Sequence, residues 1–287
     1  MRKAIVTIAI GERYRTLFER TARANWQAYA EKHDLALLVL DKSLDPSVRA
    51  AVRSPAWQKC LILEQPQVQA FDQIVWIDSD IIINAKRSPN VFDGVPIDHV
   101  GTVDMYAIPD KATYDRQLAK AYAAWRRRGI KFIDNSTPEQ YFIKRGLPPH
   151  DKVMQTGMFV CSPSHHRDLM RRAYAYEDLG PAHWNYEMGP LAHEVIIGAP
   201  VIWLDPRFNM IVAQEIADSF LFSIYELAEH LPKKARRYIL AALRRAEPLS
   251  TRLVIRRLFR KNYFIHFASC PDLATQAPSQ HEISAAL

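Results

Sequence analysis

Two carboxylates one residue apart, Asp78 and Asp80, sit inside the run Ile74-Val75-Trp76-Ile77-Asp78-Ser79-Asp80-Ile81-Ile82-Ile83. A short apolar, β-branched run reads as a buried strand, and a buried strand does not carry two unpaired charges. The charges are accommodated if the strand ends at Asp78 and the carboxylates meet a cation at its C-terminal edge, where open α/β sheets bind ligands. Alternate residues of an extended chain point the same way, so Asp78 and Asp80 can face one ion with Ser79 turned aside. The competing reading is a strand end followed by a turn, with Asp serving local hydrogen bonds. A further ligand must come from elsewhere in the chain. His266, in Phe264-Ile265-His266-Phe267, is the candidate, against the alternative of a hydrogen-bonded core histidine. Hard carboxylate oxygens with one imidazole suit Mn²⁺ or Mg²⁺ better than structural zinc, and such ions bridge diphosphates to proteins.

The elements around the pair must place it at a sheet edge. Lys3–Ile10 reads as a strand, Arg13–Lys32 as a helix with Tyr14, Leu17, Phe18, Trp26 and Tyr29 at helical spacing, and Leu35–Leu40 as a second strand. Pro55–Glu64 reads as a helix with Ser54 as N-cap and Pro55 in its first turn, and Ile74–Asp78 is the third strand. Strands alternating with helices in this way predict a three-layer α/β domain with a mostly parallel sheet. Further on, the pattern predicts strands at Val100–Met105, Val153–Cys161, Val201–Leu204 and Tyr263–Phe267. Helices are expected at Thr113–Arg128, Pro138–Arg145, Ser164–Tyr176 and Gly189–Ile197, and over 219–261 with breaks near Pro232 and Pro248. The tail after Pro271 is expected to be loose. The expected units are 1–218 with the binding and catalytic groups, a basic helical segment 219–261, and 262–287 with the closing strand and His266.

Composition excludes several classes. Apolar residues at 48% and charged residues at 24% describe an ordinary globular chain with enough length for a large core. Cys60, Cys161 and Cys270 are scattered, which argues against a disulfide framework and for a reducing compartment. Met1-Arg2-Lys3 before Ala4 to Ile10 has a signal-peptide flavour, but the apolar core is short and no small-residue cleavage site follows, so a first strand is expected. No apolar run reaches the length of a membrane span.

Several segments then occur in a telling order: Thr7 to Gly11 with Tyr14, Trp57-Gln58-Lys59, Asp78-Ser79-Asp80, Gln155-Thr156-Gly157-Met158-Phe159-Val160, and finally His266. In these the chain resembles a GT-A-fold glycosyltransferase, most of all the galactosyl- and xylosyltransferase family of fungal mannan and plant xyloglucan synthesis. The resemblance spans about residues 3–268. It implies a GT-A (Rossmann-like) sandwich with a helical C-terminal extension and a metal-dependent, retaining transfer of a hexose or pentose from a UDP-sugar. Ile10, Gly11 and Tyr14 would form the nucleotide-binding turn. Asp78, Asp80 and His266 would hold the metal, with Ser79 beside the donor, and Gly157 would let backbone pass the donor sugar. The chain departs from the family in having Gln155 where Asn is usual. It also has Glu187, within Asn185-Tyr186-Glu187-Met188-Gly189-Pro190, at the Gln position of an Asp-Gln pair.

The residues themselves leave alternatives open. Lys59 either adds charge near the donor or lies on a solvated helix face. Tyr14 either stacks on a base or is a core aromatic. Gly157 either admits a ligand or marks a strand bulge. Glu187 is an acceptor-binding group, a base for inverting chemistry, or a surface carboxylate. Gln155 and Glu187 are the catalytic candidates.

The formal charge of +7 is uneven: Lys233 to Lys261 holds eleven basic residues and one acid, Glu247, leaving the rest slightly acidic. Such a segment suits an anionic membrane, nucleic acid or an acidic substrate. Without the aromatic interleaving of RNA binders, either an amphipathic membrane-surface helix or a docked helical pair with a solvated basic face is expected. Together these features predict a cytoplasmic enzyme, peripheral at the inner face of a bacterial membrane, acting on a glycan or lipid-linked acceptor. Two other classes remain at this point. One is a haloacid-dehalogenase-type phosphatase with Asp78 as nucleophile, although there the motif lies on the first strand. The other is a non-enzymatic protein of membrane surfaces, which leaves the Asp pair without a purpose.

Overall fold

The computed structural model describes residues 1–127, 137–179, 186–219, 223–224, 227–228, 230–268 and 270–278. A six-stranded sheet runs through the middle in the order β2 (Ala36–Leu40), β1 (Lys3–Ile8), β3 (Gln73–Ile77), β6 (Met154–Cys161), β5 (Val100–Asp104), β7 (Val201–Trp203). β1 pairs in parallel with β2 and β3, and β5 with β7, while β6 is antiparallel to both its neighbours. The mostly parallel three-layer arrangement expected from the strand–helix alternation is therefore present.

Period-two alternation builds two cores. Ile5, Val75, Ile77 and Val160 face one side, where α1 (Glu12–Thr21) and α2 (Arg23–His33) bring Phe18, Trp26 and Tyr29. Ala4, Val6, Ile74, Trp76, Phe159 and Cys161 face the other. There they meet the 3₁₀ helix Pro55–Glu64, α7 (Pro163–Ala175) and α8 (Met188–Gly198), which supply Ile62, Leu169 and Leu191. β3 is buried along its whole length, as expected of a central strand covered on both faces.

A second sheet of three short strands forms where the chain leaves β3. β4 (Ile81–Ile83) pairs antiparallel with β9 (Phe264–His266), which pairs in parallel with β8 (Met210–Ile211). Neither β4 nor β8 was legible in the sequence, because Ile81–Ile83 reads as a continuation of the preceding apolar run. α3 (Val48–Val52) and α9 (Val212–Ala217) were also missed. The remaining helices are α4 (Pro66–Gln69), α5 (Lys111–Arg127), α6 (Pro138–Ile143) and α10 (Lys233–Lys261).

Three expectations need correction, and one open reading closes. The single helix over Arg13–Lys32 is two helices divided at Ala22, where the Thr21 hydroxyl donates to Leu17 O at 2.7 Å, a back-bond that bends helices. Of the two readings of Tyr14, the core aromatic fails, because the residue is 51% exposed. The break at Pro248 does not occur, and α10 is continuous through it. An interior proline costs about 3 kcal/mol, but Leu243 before it and Ile255, Leu258 and Phe259 after it are all buried. Each such burial stabilises by roughly 1.5–3 kcal/mol and holds both halves in line. The stretch after Pro271 is ordered as a 3₁₀ helix, Pro271–Gln276, with Ala274 buried and Asp272 paired to Arg13 at 3.0 Å. Residues 279–287 of that tail, Asn185, Arg128 and part of 219–232 lie outside the described residues. No described helix is long and apolar enough to cross a membrane.

Candidate functional site

β3 delivers Asp78 and then stops. The Asp78 N–H donates to Gly157 O on β6 at 2.8 Å, and Asp78 O accepts from Ile81 N at 3.0 Å, closing a turn over Ser79 and Asp80. The chain then enters β4, whose Ile81 carbonyl is fixed by the Trp26 indole N–H at 2.8 Å. The register of β4 on β9 sets Ile81 opposite His266, and Phe267 N donates to Asp80 O at 3.0 Å. Strand pairing thus carries a histidine from the end of the chain to the carboxylate pair. His266 Nε2 lies 3.3 Å from Asp80 Oδ1 and 3.8 Å from Asp78 Oδ2. One ligand atom from each of the three side chains lies within 4.8 Å of the others.

The imidazole is oriented from behind. His266 Nδ1 is 2.9 Å from Asn209 Oδ1, an atom that only accepts, so the Nδ1 hydrogen points to Asn209 and Nε2 faces the carboxylates. Burial pushes the His266 pKa down, but the charge of Asp80, its hydrogen bond and the nearby Asp78 together hold it above the ordinary histidine value. Burial raises Asp80, yet the imidazole beside it wins and holds that carboxyl below its usual range. At Asp78 burial dominates over the attraction of Lys59 and His266, and the pKa is raised.

Lys59 lies under the pair, its side chain 5% exposed, so the solvated-face reading fails. Its Nζ reaches Asp78 Oδ1 at 3.0 Å, Glu187 Oε1 at 2.9 Å and Thr156 O at 3.2 Å. Burial alone would lower its pKa; Asp78 and Glu187 more than reverse that and raise it. Glu187 is likewise no surface carboxylate, at 4% side-chain exposure, and Thr156 Oγ1 also donates to its Oε1 at 3.0 Å. Trp76 completes the support of Asp78, its indole N–H donating to Oδ1 at 2.9 Å.

β6 passes behind these groups. A Cβ on Gly157 would lie 2.5 Å from His266 Cε1 and 2.8 Å from Nδ1, so only glycine leaves room for the ring. The Gln155 side chain turns back onto the Gly157 N–H, with Oε1 accepting at 2.5 Å. Above the carboxylates opens a cleft of about 240 Å³, lined by Ile10, Tyr14, Lys59, Asp78, Ser79 and Asp80, and also by Ile8, Ser54, Pro55, Ala56 and Trp76. Gly11, at the N-terminus of α1 with φ of 88°, holds a left-handed conformation that glycine tolerates. The cleft brings together six residues singled out from the sequence, while Gly157, Gln155, Glu187 and His266 form its underside.

Sequence reasoning missed Trp76, Thr156, Asn209 and the wall Ser54–Ala56. Trp76 carried a signal, since residues 76, 78 and 80 share one side of an extended chain. Nothing local marks Asn209 or the Thr156–Glu187 contact, which exist only once β6, β8 and α8 assemble.

No family model matches the chain, and no curated protein matches it. Among solved structures it is similar to a glycosyltransferase involved in glycosylation of the major capsid of PBCV-1, at 13% identity over 99% of this chain and 98% of the other, with a TM-score of 0.48. A second similar structure is the bifunctional glycosyltransferase WbbM in its apo form, at 13% identity, 99% and 51% coverage and a TM-score of 0.46. A third is a mutant Drosophila β-1,4-galactosyltransferase 7 in complex with manganese, UDP-Gal and xylobiose, at 13% identity, 59% and 52% coverage and a TM-score of 0.31. The chain spans about half the length of the last two. The mostly parallel central sheet, with the carboxylate pair at the end of β3 and an antiparallel strand beside it, is consistent with the GT-A architecture that the sequence resemblance implied.

Proposed function

We propose that this protein is a metal-dependent glycosyltransferase that moves a sugar from a nucleotide-sugar, UDP-linked, to a hydroxyl of a glycan or glycolipid. One observation carries the reading. Asp78, Asp80 and Glu187 converge on a single lysine and an imidazole. With His266 neutral, three carboxylates against Lys59 leave a charge of −2, which one divalent cation cancels. The donor set, two carboxylates with one imidazole whose other nitrogen is tied to Asn209, fits Mn²⁺ or Mg²⁺.

Asp78, Asp80 and His266 would hold the ion, which when bound supplies positive charge to the departing diphosphate. Lys59 and Trp76 fix Asp78 Oδ1, leaving Oδ2 toward the cleft. The turn Ile10–Gly11 with exposed Tyr14, facing the Ser54–Ala56 wall, offers a slot for a base and ribose, and Ser79 lies in the same cleft. Glu187 and Gln155 enter as positioning groups, one holding Lys59 and the other the Gly157 amide. A carboxylate engaged by Lys59 and Thr156 is not offered to an acceptor hydroxyl, which favours a retaining outcome over base-assisted inversion. In this reading 1–218 is the catalytic domain and the segment 262–287 lends it His266.

The test is a calorimetric screen of nucleotide-sugars with and without Mn²⁺, on wild type and Asp80→Asn. UDP-sugar binding that needs Mn²⁺ and is lost in the variant, with the fold intact by circular dichroism, is the expected result. Binding indifferent to both metal and variant sinks the proposal. Covalent phosphate on Asp78 after incubation with phosphate esters would install the phosphatase reading instead.

A further inference from the structure

α10 is 29 residues long, about 43 Å at 1.5 Å per residue. Leu243, Thr251, Ile255, Leu258 and Phe259 bury one side of it. The other side is largely exposed and has a consistent chemistry, although at its middle Leu249 and Arg252 also line a groove of about 770 Å³ against Arg20, Thr21, Ala24 and Asn25 of α1–α2 and residues 274–278. At about 100° per residue, Lys234, Tyr238, Arg245, Leu249, Leu253 and Arg260 fall within about 60° of one line along the helix. All six are exposed, with Tyr238 and Leu249 at 65% and Leu253 at 58%. The helix has a single acid, Glu247, in its sequence.

A face that is merely solvated mixes both signs of charge and keeps large apolar side chains off it. This face does neither: cations flank exposed Leu and Tyr over the whole length of the helix. A folded polyanion such as nucleic acid would use the cations but not the leucines. A membrane interface uses both, because basic groups meet anionic headgroups while Leu and Tyr enter the acyl boundary. We infer that the outward face of α10 is a docking surface for an anionic bilayer, with the helix lying in the interfacial plane. The inference stands on α10 alone and does not depend on the nucleotide-sugar reading.

The experiment is vesicle co-sedimentation of the full chain with phosphatidylcholine alone and with phosphatidylcholine containing phosphatidylglycerol, at low and high salt. Wild type is expected to sediment with the anionic vesicles only, and less so as salt rises, since attraction is screened over roughly 8–10 Å. Lys234→Glu/Arg245→Glu/Arg260→Glu should lose about fivefold in partitioning per removed cation. Tyr238→Ser/Leu249→Ser/Leu253→Ser should retain the salt dependence while losing the salt-resistant fraction. All these positions are exposed, so circular dichroism should match wild type. Equal, negligible sedimentation with both vesicle types overturns the inference. So does binding to an oligonucleotide with no vesicle binding, which would make the face a site for soluble polyanions.

Discussion

The two charged regions of this protein obey opposite rules. Under the cleft, among the described residues, one lysine, Lys59, meets Asp78 and Glu187, and its side chain is almost completely buried. On α10 eleven cations share a helix with one acid, and Lys234, Arg245 and Arg260 on its outward face are exposed. In the first region each charge has a named partner within 3.3 Å, and the loss of one strands another. In the second no single charge matters, and only their sum and alignment do. The difference separates residues whose substitution should be felt in folding from those felt only in encounter with a partner.

The strongest way to break the comparison is Lys59→Met. It leaves Asp78 and Glu187 facing each other without a counter-ion, and removal of one partner from a buried pair costs about 3–5 kcal/mol. Chemical denaturation should show that loss, with Mn²⁺ restoring part of it through Asp78. An unchanged midpoint would mean that Lys59 is no keystone. Next is Gly157→Ala, whose methyl would collide with the His266 ring. Overpacking of this kind costs about 1–3 kcal/mol. Mn²⁺ affinity, read by paramagnetic resonance, should fall at least as far as the stability does. Retained affinity would show that the ring can move aside.

A smaller effect tests whether burial or pairing sets the behaviour of a titratable group. His166 is as little exposed as His266, but the nearby Asp98 carboxylate is engaged by His99 and opposes the effect of burial without overcoming it. Its Nδ1 accepts the Ser162 N–H at 2.8 Å, its Nε2 lies 3.2 Å from Asp98 O, and burial lowers its pKa below the ordinary value. The unfolded chain therefore binds a proton that the folded chain refuses. The sign follows: its contribution is complete above the unfolded value of about 6.5 and is lost as pH falls below it. Thermal melts from pH 7.5 to 5 should show a drop in Tm that is shallower in His166→Gln. Parallel curves for the two proteins would dispose of the assignment. At the bottom of the scale, Arg245→Ala on α10 should change stability by less than about 0.5 kcal/mol. A larger loss would mean that the outward face of the helix supports the fold after all.

The same contrast governs what could be read from the sequence. Asp78 and Asp80 were legible because an apolar strand interrupted by carboxylates has few physical solutions. His266 was legible as a polar residue on an apolar closing strand. The burial of Lys59 and Glu187 was not, because their helices show no pattern that distinguishes a charge facing another element from one facing water. Tyr14 stayed open between a stacking residue and a core aromatic, since helical spacing identifies a stripe without saying which of its members overhangs a cleft. Pro248 suggested a break because local propensity is visible in sequence, whereas the buried anchors on either side act only after packing. Asn209 belongs wholly to tertiary structure: a short 3₁₀ turn before β8 places its amide behind an imidazole that is distant in sequence.

The pairing of β4 with β9 has a temporal meaning. Asp78 and Asp80 emerge early in synthesis, and the imidazole that joins them is contributed by β9, a strand made long after β3 and β4. A chain interrupted before β9 can therefore assemble its main sheet yet lack the imidazole beside the carboxylate pair. The Asp–Asp–His cluster therefore forms only when β9 has threaded back beside β4, and one strand pairing decides whether the three side chains meet at all.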